Sequence, residues 1–220
     1  MIEGRLITQN PFSLPALHWR EGRFAPSDLT RLDYSEDPLG PVSVTLPADL
    51  CAAVPKRRGE YLAGRICAAL VLRAADLPER LGQKGRVPVW PAPAAGSISH
   101  AGNRVIAALS CTLSGLGVDC ETIMPTAQAE ELHAMILTEA EAALCPSPLP
   151  FPAFLTLAFS AKEALYKALS ARLDRVLEFH DVILTCIAPD RLHLAVDGAS
   201  YQALYRVDSV ECVTLVQVPK

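Results

Sequence analysis

The chain has 220 residues, half of them apolar and a fifth charged, with a formal net charge of −4; that length allows one large domain or two small ones around a true core. Charge or proline interrupts every apolar run well short of a membrane span, and Met1-Ile2-Glu3-Gly4-Arg5 carries no signal-peptide pattern. Seven cysteines without a Cys-x-x-Cys argue against a disulfide or thiolate-metal framework and for a reducing cytoplasm.

Residues 1–50 are punctuated by proline and read as irregular cover over the core, with a strand-like piece at Val42–Leu46 and a turn at Asp33–Asp37. Residues 55–76 predict a strong helix: Pro55 starts it, and Tyr61, Leu62, Ile66, Ala69 and Leu70 share an apolar face. Lys56, Arg57, Arg58 and Arg65 on its first half are either snorkelling surface bases or phosphate ligands. Residues 82–91 read as a loop carrying Arg86 beside Trp90. Gly96 to Arg104 leads through Ser99 and His100 to a hairpin tip at Gly102-Asn103 and a strand at Val105–Leu109. A boundary is expected at Thr112–Gly115.

Gly117-Val118-Asp119-Cys120-Glu121 then reads as an apolar strand with two acids on one face and Cys120 on the other. Residues 125–144 read as helical, with Thr138, Glu139 and Glu141 ahead of an apolar run, and residues 145–150 as a proline-broken loop. Phe159 to Arg172 reads as a helix opening with Ser160 as N-cap and Glu163 at capping-box spacing; Glu163 and Lys167 share a face. Strand-like runs follow at 177–180, 182–187, 192–196, 203–207 and 212–218.

Charge is uneven. Residues 1–115 carry 13 Lys and Arg against 10 Asp and Glu, net +3, and residues 116–220 carry 7 against 14, net −7. The basic surplus concentrates in 56–104, with 9 bases to 3 acids. A short basic segment in an acidic chain, without a nucleic-acid motif, speaks for a phosphate-rich small ligand or an acidic partner rather than nucleic acid. Asp119, Glu121 and Glu163 supply hard oxygen donors, and Lys167 a cation, of the kind a magnesium-bound diphosphate needs.

The acid strand and the Phe159–Lys167 string together resemble the paired signature of the 4'-phosphopantetheinyl transferases, G-[IV]-D-x-E followed some forty residues later by [FW]-[SC]-x-K-E-[AS]-x-x-K. Arg58 to Arg65 resembles the R-x-x-E-[FY]-L-A-G-R helix of the siderophore-synthetase type, with one residue of slack at its start. Ser99-His100-Ala101-Gly102 matches the family's S-H-[ST]-x, with alanine where a hydroxyl is common. The match of Arg86 to a basic residue before a proline is loose, because Val87 intervenes.

The resemblance implies an α+β fold of two similar α/β lobes about a pseudo-twofold axis, each a long helix packed on a small antiparallel sheet. Residues 1–114 would form the lobe binding coenzyme A phosphates and adenine, through Arg65, Arg58, Arg86, Ser99 and His100. Residues 115–220 would carry Mg2+ on Asp119, Glu121 and Glu163, with Lys167 and Lys162 at the phosphoryl oxygens. The implied activity is that of a holo-acyl-carrier-protein synthase type transferase. It moves 4'-phosphopantetheine from coenzyme A to a serine of an apo carrier protein (acyl, peptidyl or aryl) and releases 3',5'-ADP. Metal-bound water, Glu163 and Glu141 stand as bases for the serine proton. A cytoplasmic monomer, with no nucleic acid and no membrane among its partners, is expected. Two other classes stay open: a magnesium-dependent hydrolase of the coenzyme A diphosphate, and a non-catalytic coenzyme A or carrier-binding module.

Overall fold

Pro55 opens the first long helix, α1 (Pro55–Ala74), at a position where a missing N–H is harmless. Its apolar residues recur at helical spacing, and Leu62, Ile66 and Leu70 are fully buried. The computed structural model describes residues 1–85, 87–173 and 175–220, in two compact units, Met1–Ser114 and Gly115–Lys220. Strands of the first unit are β1 (Ile2–Ile7), β2 (His18–Phe24), β3 (Arg31–Tyr34), β4 (Val42–Thr45), β5 (Gly82–Lys84), β6 (Val87–Val89), β7 (Ala95–Ala101) and β8 (Arg104–Ser110). An antiparallel sheet in the order β1-β2-β8-β7 carries α1 on one face. The two-residue link Gly102-Asn103 joins β7 to β8, and Gly102 takes the left-handed φ of 56° that the tight turn needs.

Residues 1–50 are not cover: β2 is a central strand of that sheet. Its alternation is masked by Arg20, which is only 6% exposed. The guanidinium is tolerated there because Nε and Nη2 meet the buried Asp37 carboxylate at 2.7 and 3.3 Å. The turn expected at Asp33 starts later. Arg31–Tyr34 pairs with Val42–Thr45, and Asp37 shapes the turn by accepting the N–H of Leu39 on its side chain and that of Gly40 on its carbonyl. The loop expected at 82–91 holds the β5–β6 hairpin; Arg86 lies outside the described residues.

The second unit holds most of β9 (Leu113–Thr122), then α2 (Thr126–Ile136), α3 (Glu139–Ala142), α4 (Phe151–Leu169), β10 (Ile183–Ala188), β11 (Arg191–Val196), β12 (Ala199–Val207) and β13 (Glu211–Pro219). The sheet order is β10-β11-β12-β13-β9, with α4 packed across β11, β12 and β13. Asp197 and Gly198, both at positive φ (50° and 78°), close the β11–β12 hairpin. Leu155, Leu157, Leu165, Leu192, Leu194 and Val216 belong to one buried cluster. The fold is therefore α+β, with one long helix on one antiparallel sheet in each unit.

Three element boundaries differ from the sequence expectation. The helix expected over 125–144 is broken at Leu137, which is extended (ψ 144°), and restarts at α3. The helix expected from Phe159 begins at Phe151, with Pro152 in its first turn. Residues 177–180 are not a strand; Phe179–Asp181 is a 3-10 turn.

Candidate metal and phosphate site

Alternation along β9 puts Gly115, Gly117, Asp119 and Glu121 on one face and Val118 and Cys120 on the other. The glycines explain how α4 reaches that face. A Cβ at Gly117 would lie 1.8 Å from the Ala164 carbonyl oxygen, and one at Gly115 2.3 Å from that of Ala168. Only bare backbone lets helix and strand approach this closely. Lys167, whose side chain leans toward the helix N-terminus, then reaches Asp119: Nζ donates to Oδ1 at 2.6 Å and to the Val118 carbonyl at 3.2 Å. Asp119 is 3% exposed.

Glu121 and Glu163 complete the group. Burial first, then the charges of Asp119 and Glu163, push the Glu121 carboxyl up to about 7, with Lys167 opposing. Burial and Asp119 likewise raise the Glu163 carboxyl above its ordinary value, again against Lys167. The three carboxylates thus lie near enough for their charges to be felt mutually, and each added negative charge there is costly. Ser160 is no N-cap. It is fully buried in mid-helix, where its Oγ shares a 2.9 Å hydrogen bond with Thr214 Oγ1, and that hydroxyl also reaches the Ser160 carbonyl.

The capping box lies instead at Thr138–Glu141. Thr138 Oγ1 accepts the Glu141 N–H, and Glu141 Oε2 accepts the Thr138 N–H at 2.8 Å and its hydroxyl at 2.9 Å. The other oxygen, Oε1, accepts the Leu184 N–H at 2.7 Å and Lys162 Nζ at 2.7 Å. Burial opposes the Glu141 charge, but the bonds from Leu184, Lys162 and Thr138 outweigh it and hold the carboxyl below its usual range. Lys162 also donates to the carbonyls of Ile136 and Phe179 at 2.8 and 3.0 Å. Both side chains are 1% exposed. That corrects two expectations: Lys162 is not presented to a phosphate, and Glu141 is not presented to an acceptor serine.

The basic residues of the first unit divide sharply. Arg65 ties α1 to the β5 hairpin, donating to the carbonyls of Leu81 and Gly82 and to Gln83 Oε1 at 2.7 Å, with its guanidinium 5.1 Å from the Tyr61 ring centre. Arg58 closes the loops ahead of α1 through the carbonyls of Ala53 and Asp28. Both guanidiniums also hold the fold, through bonds that leave part of each fork of donors at the partly exposed surface. Arg57 is 41% exposed and held to Glu60 at 3.4 Å, three residues on, which makes it the arginine in register with the R-x-x-E pattern. His100 stands on the α1 side of β7, its Nδ1 3.7 Å from Glu60 Oε1. Ser99 is its neighbour on the strand and so points to the opposite face, 5% exposed.

Three carboxylates gathered this closely suit a hard divalent cation in donor type. Among the described residues no three such side chains stand ready as a metal cage. Magnesium does not require one: it keeps several waters and takes one or two carboxylates plus the phosphates of its substrate. The residues present fit the ion on those terms.

Two family models cover most of the chain. Residues 46–110 match the 4'-phosphopantetheinyl transferase N-terminal domain, and residues 115–214 match the 4'-phosphopantetheinyl transferase superfamily. The chain belongs to the 4'-phosphopantetheinyl transferase superfamily, of the siderophore-synthetase type. It is 46% identical over 127 residues to enterobactin synthase component D of Salmonella austin, covering 57% of this chain and 53% of that protein. The protein of the same name from Escherichia coli (strain K12) is 38% identical over 172 residues, 76% of this chain and 77% of the relative. The 4'-phosphopantetheinyl transferase PptT of Mycobacterium tuberculosis is 32% identical over 167 residues, 72% and 71% of the two chains. The match thus spans about half the length of the Salmonella relative and about three quarters of the Escherichia coli one.

Proposed function

We propose that the chain transfers 4'-phosphopantetheine from coenzyme A to a serine of an apo carrier protein, with Mg2+, releasing 3',5'-ADP. The observation that carries the reading is the group formed by Asp119 and Glu121 on β9 with Glu163 and Lys167 on α4. Asp119, Glu121 and Glu163 would hold the ion. Bound there, magnesium would neutralise charge on the diphosphate and polarise the phosphoryl oxygen.

The chain's own residues do the rest. The Lys167 ammonium, held at this group by its bonds to Asp119 and the Val118 carbonyl, would stabilise the negative charge that builds on the phosphoryl oxygens. The serine oxygen bonds to the phosphorus that bears pantetheine, and the bond from that phosphorus to 3',5'-ADP breaks. The serine proton passes to Glu163, the carboxylate that α4 carries into this group. We assign the coenzyme A phosphates to the basic groups of the first unit: Arg65, Arg58, His100 and Arg57, with Lys56 exposed beside it. The relatives' names point to a siderophore-pathway carrier. All seven cysteines are free thiols, and no helix among the described residues is long and apolar enough to cross a membrane; a cytoplasmic monomer is our reading.

Intact-mass spectrometry of an apo carrier protein incubated with this protein, coenzyme A and Mg2+ tests it. A gain of one phosphopantetheine arm, lost with EDTA, is expected. Cleaved coenzyme A beside an unmodified carrier would make the protein a hydrolase, and bound but intact coenzyme A would make it a binding module.

A further inference from the structure

The transfer reading makes no use of Glu141 and Lys162, though they form a buried and fully hydrogen-bonded polar pair. All three Lys162 ammonium protons have partners: Glu141 Oε1, the Ile136 carbonyl and the Phe179 carbonyl. Glu141 accepts four hydrogen bonds, from Thr138 N–H, Thr138 Oγ1, Leu184 N–H and Lys162. A carboxylate has about four acceptor sites, so none is left to receive a substrate proton. At 1% exposure neither group can approach a carrier serine.

What the pair does reach is the scaffold around α4. Through Lys162 it ties that helix to the end of α2, to α3, to the 3-10 turn at Phe179 and to β10. The next residue on α4 is Glu163, roughly 100° further round the helix. The neighbouring side of the helix is seated on Gly117 of β9. The helix is thus gripped on two sides, by a polar bolt and by a backbone approach. A turn of about 10° about its axis would move a long side chain's tip by roughly 1 Å, and displacement of that size is enough to degrade a phosphoryl-transfer site.

We propose that Glu141 and Lys162 are a positioning pair: they fix the rotation of α4, thereby aim Glu163 and Lys167 at Asp119, and take no proton from the substrate. The kinetic arm of the test rests on the whole transfer reading, and the Mn2+ arm on its metal assignment alone. The variants are Glu141→Gln and the double Glu141→Leu/Lys162→Met, each checked for folding by circular dichroism. Glu141→Gln keeps Oε1 for Lys162 and Leu184, so it should turn over within about fivefold of wild type, whereas loss of a general base removes about a hundredfold or more. The double variant replaces the bolt with apolar side chains of similar size. Its Mn2+ affinity with coenzyme A present, read from loss of the free-ion electron paramagnetic resonance signal, should fall about 10- to 100-fold together with turnover.

A hundredfold loss in Glu141→Gln with Mn2+ binding unchanged would overturn the proposal in favour of a base. A folded double variant with wild-type Mn2+ affinity and turnover would reduce the pair to general stability. If the double variant does not fold, Glu141→Gln still decides between base and positioning pair. Wild-type protein that binds Mn2+ but modifies no carrier would sink the transfer reading alone.

Discussion

Glu121 carries the largest electrostatic strain of the site. Its folded pKa of about 7 lies above the ordinary 4.5, so the folded protein retains a proton that the unfolded chain has lost between those values. The stability this group contributes is therefore full below about pH 4.5, declines as pH rises toward about 7, and is flat above. Glu121→Gln should match wild type at pH 4.5 and exceed it at pH 8 by about 1–2 kcal/mol after allowance for solvent screening. Urea midpoints across that range, taken in EDTA, check it; a difference independent of pH would refute the assignment. Asp119→Asn should in turn lower phosphopantetheine transfer at least about a hundredfold while leaving the circular dichroism spectrum intact; near-normal turnover would remove Asp119 from the site. The acids of β9 and α4 were legible as a group because their order and spacing carry them. The pairing of Lys162 with Glu141 was not, because nothing in residues 138–141 says that Leu184 and Lys162 will meet there.

Elements were legible where periodicity and punctuation agree. Pro55 with a regular apolar face gave α1 its start, and Gly102-Asn103 gave a hairpin its tip. They were misread where one local signal had two possible homes. Ser160-x-x-Glu163 and Thr138-x-x-Glu141 have the same capping spacing. The true box follows the extended Leu137, whereas Ser160 sits inside an apolar helix already opened by Pro150 and Pro152. Likewise β2 hides behind Arg20, whose partner Asp37 is remote in sequence. The approach of α4 to β9 makes the sharpest prediction at this scale. Gly117→Ala puts a methyl 1.8 Å from a backbone carbonyl that cannot flex away, which should cost about 2–4 kcal/mol and displace Lys167 from Asp119. A melting temperature within a degree or two of wild type would show that the helix yields more readily than its packing suggests.

For the whole molecule, each unit buries its own apolar cluster. Leu157→Ala, a fully buried position of the second, should cost about 2–5 kcal/mol. Hydrogen exchange should show the loss first in α4 and β11–β13. Equal loss of protection in α1 and β8 would mean that the two cores unfold as one. Net charge is partitioned too, +3 over residues 1–115 and −7 over 116–220, so a polyanionic ligand held by the first unit should bind less tightly as salt rises.

The contact between Lys167 and Asp119 has a practical consequence. The acid cluster carries a tethered counter-ion, one that travels with the polypeptide and cannot be dialysed away. Folding then does not wait for a mineral cofactor, as it does in proteins whose ligands repel one another until the ion arrives. A preparation stripped with EDTA should melt within about 2 °C of the loaded one, stay soluble in storage, and regain full turnover when Mg2+ is returned. Irreversible loss on chelation would mean that the lysine is too weak a stand-in.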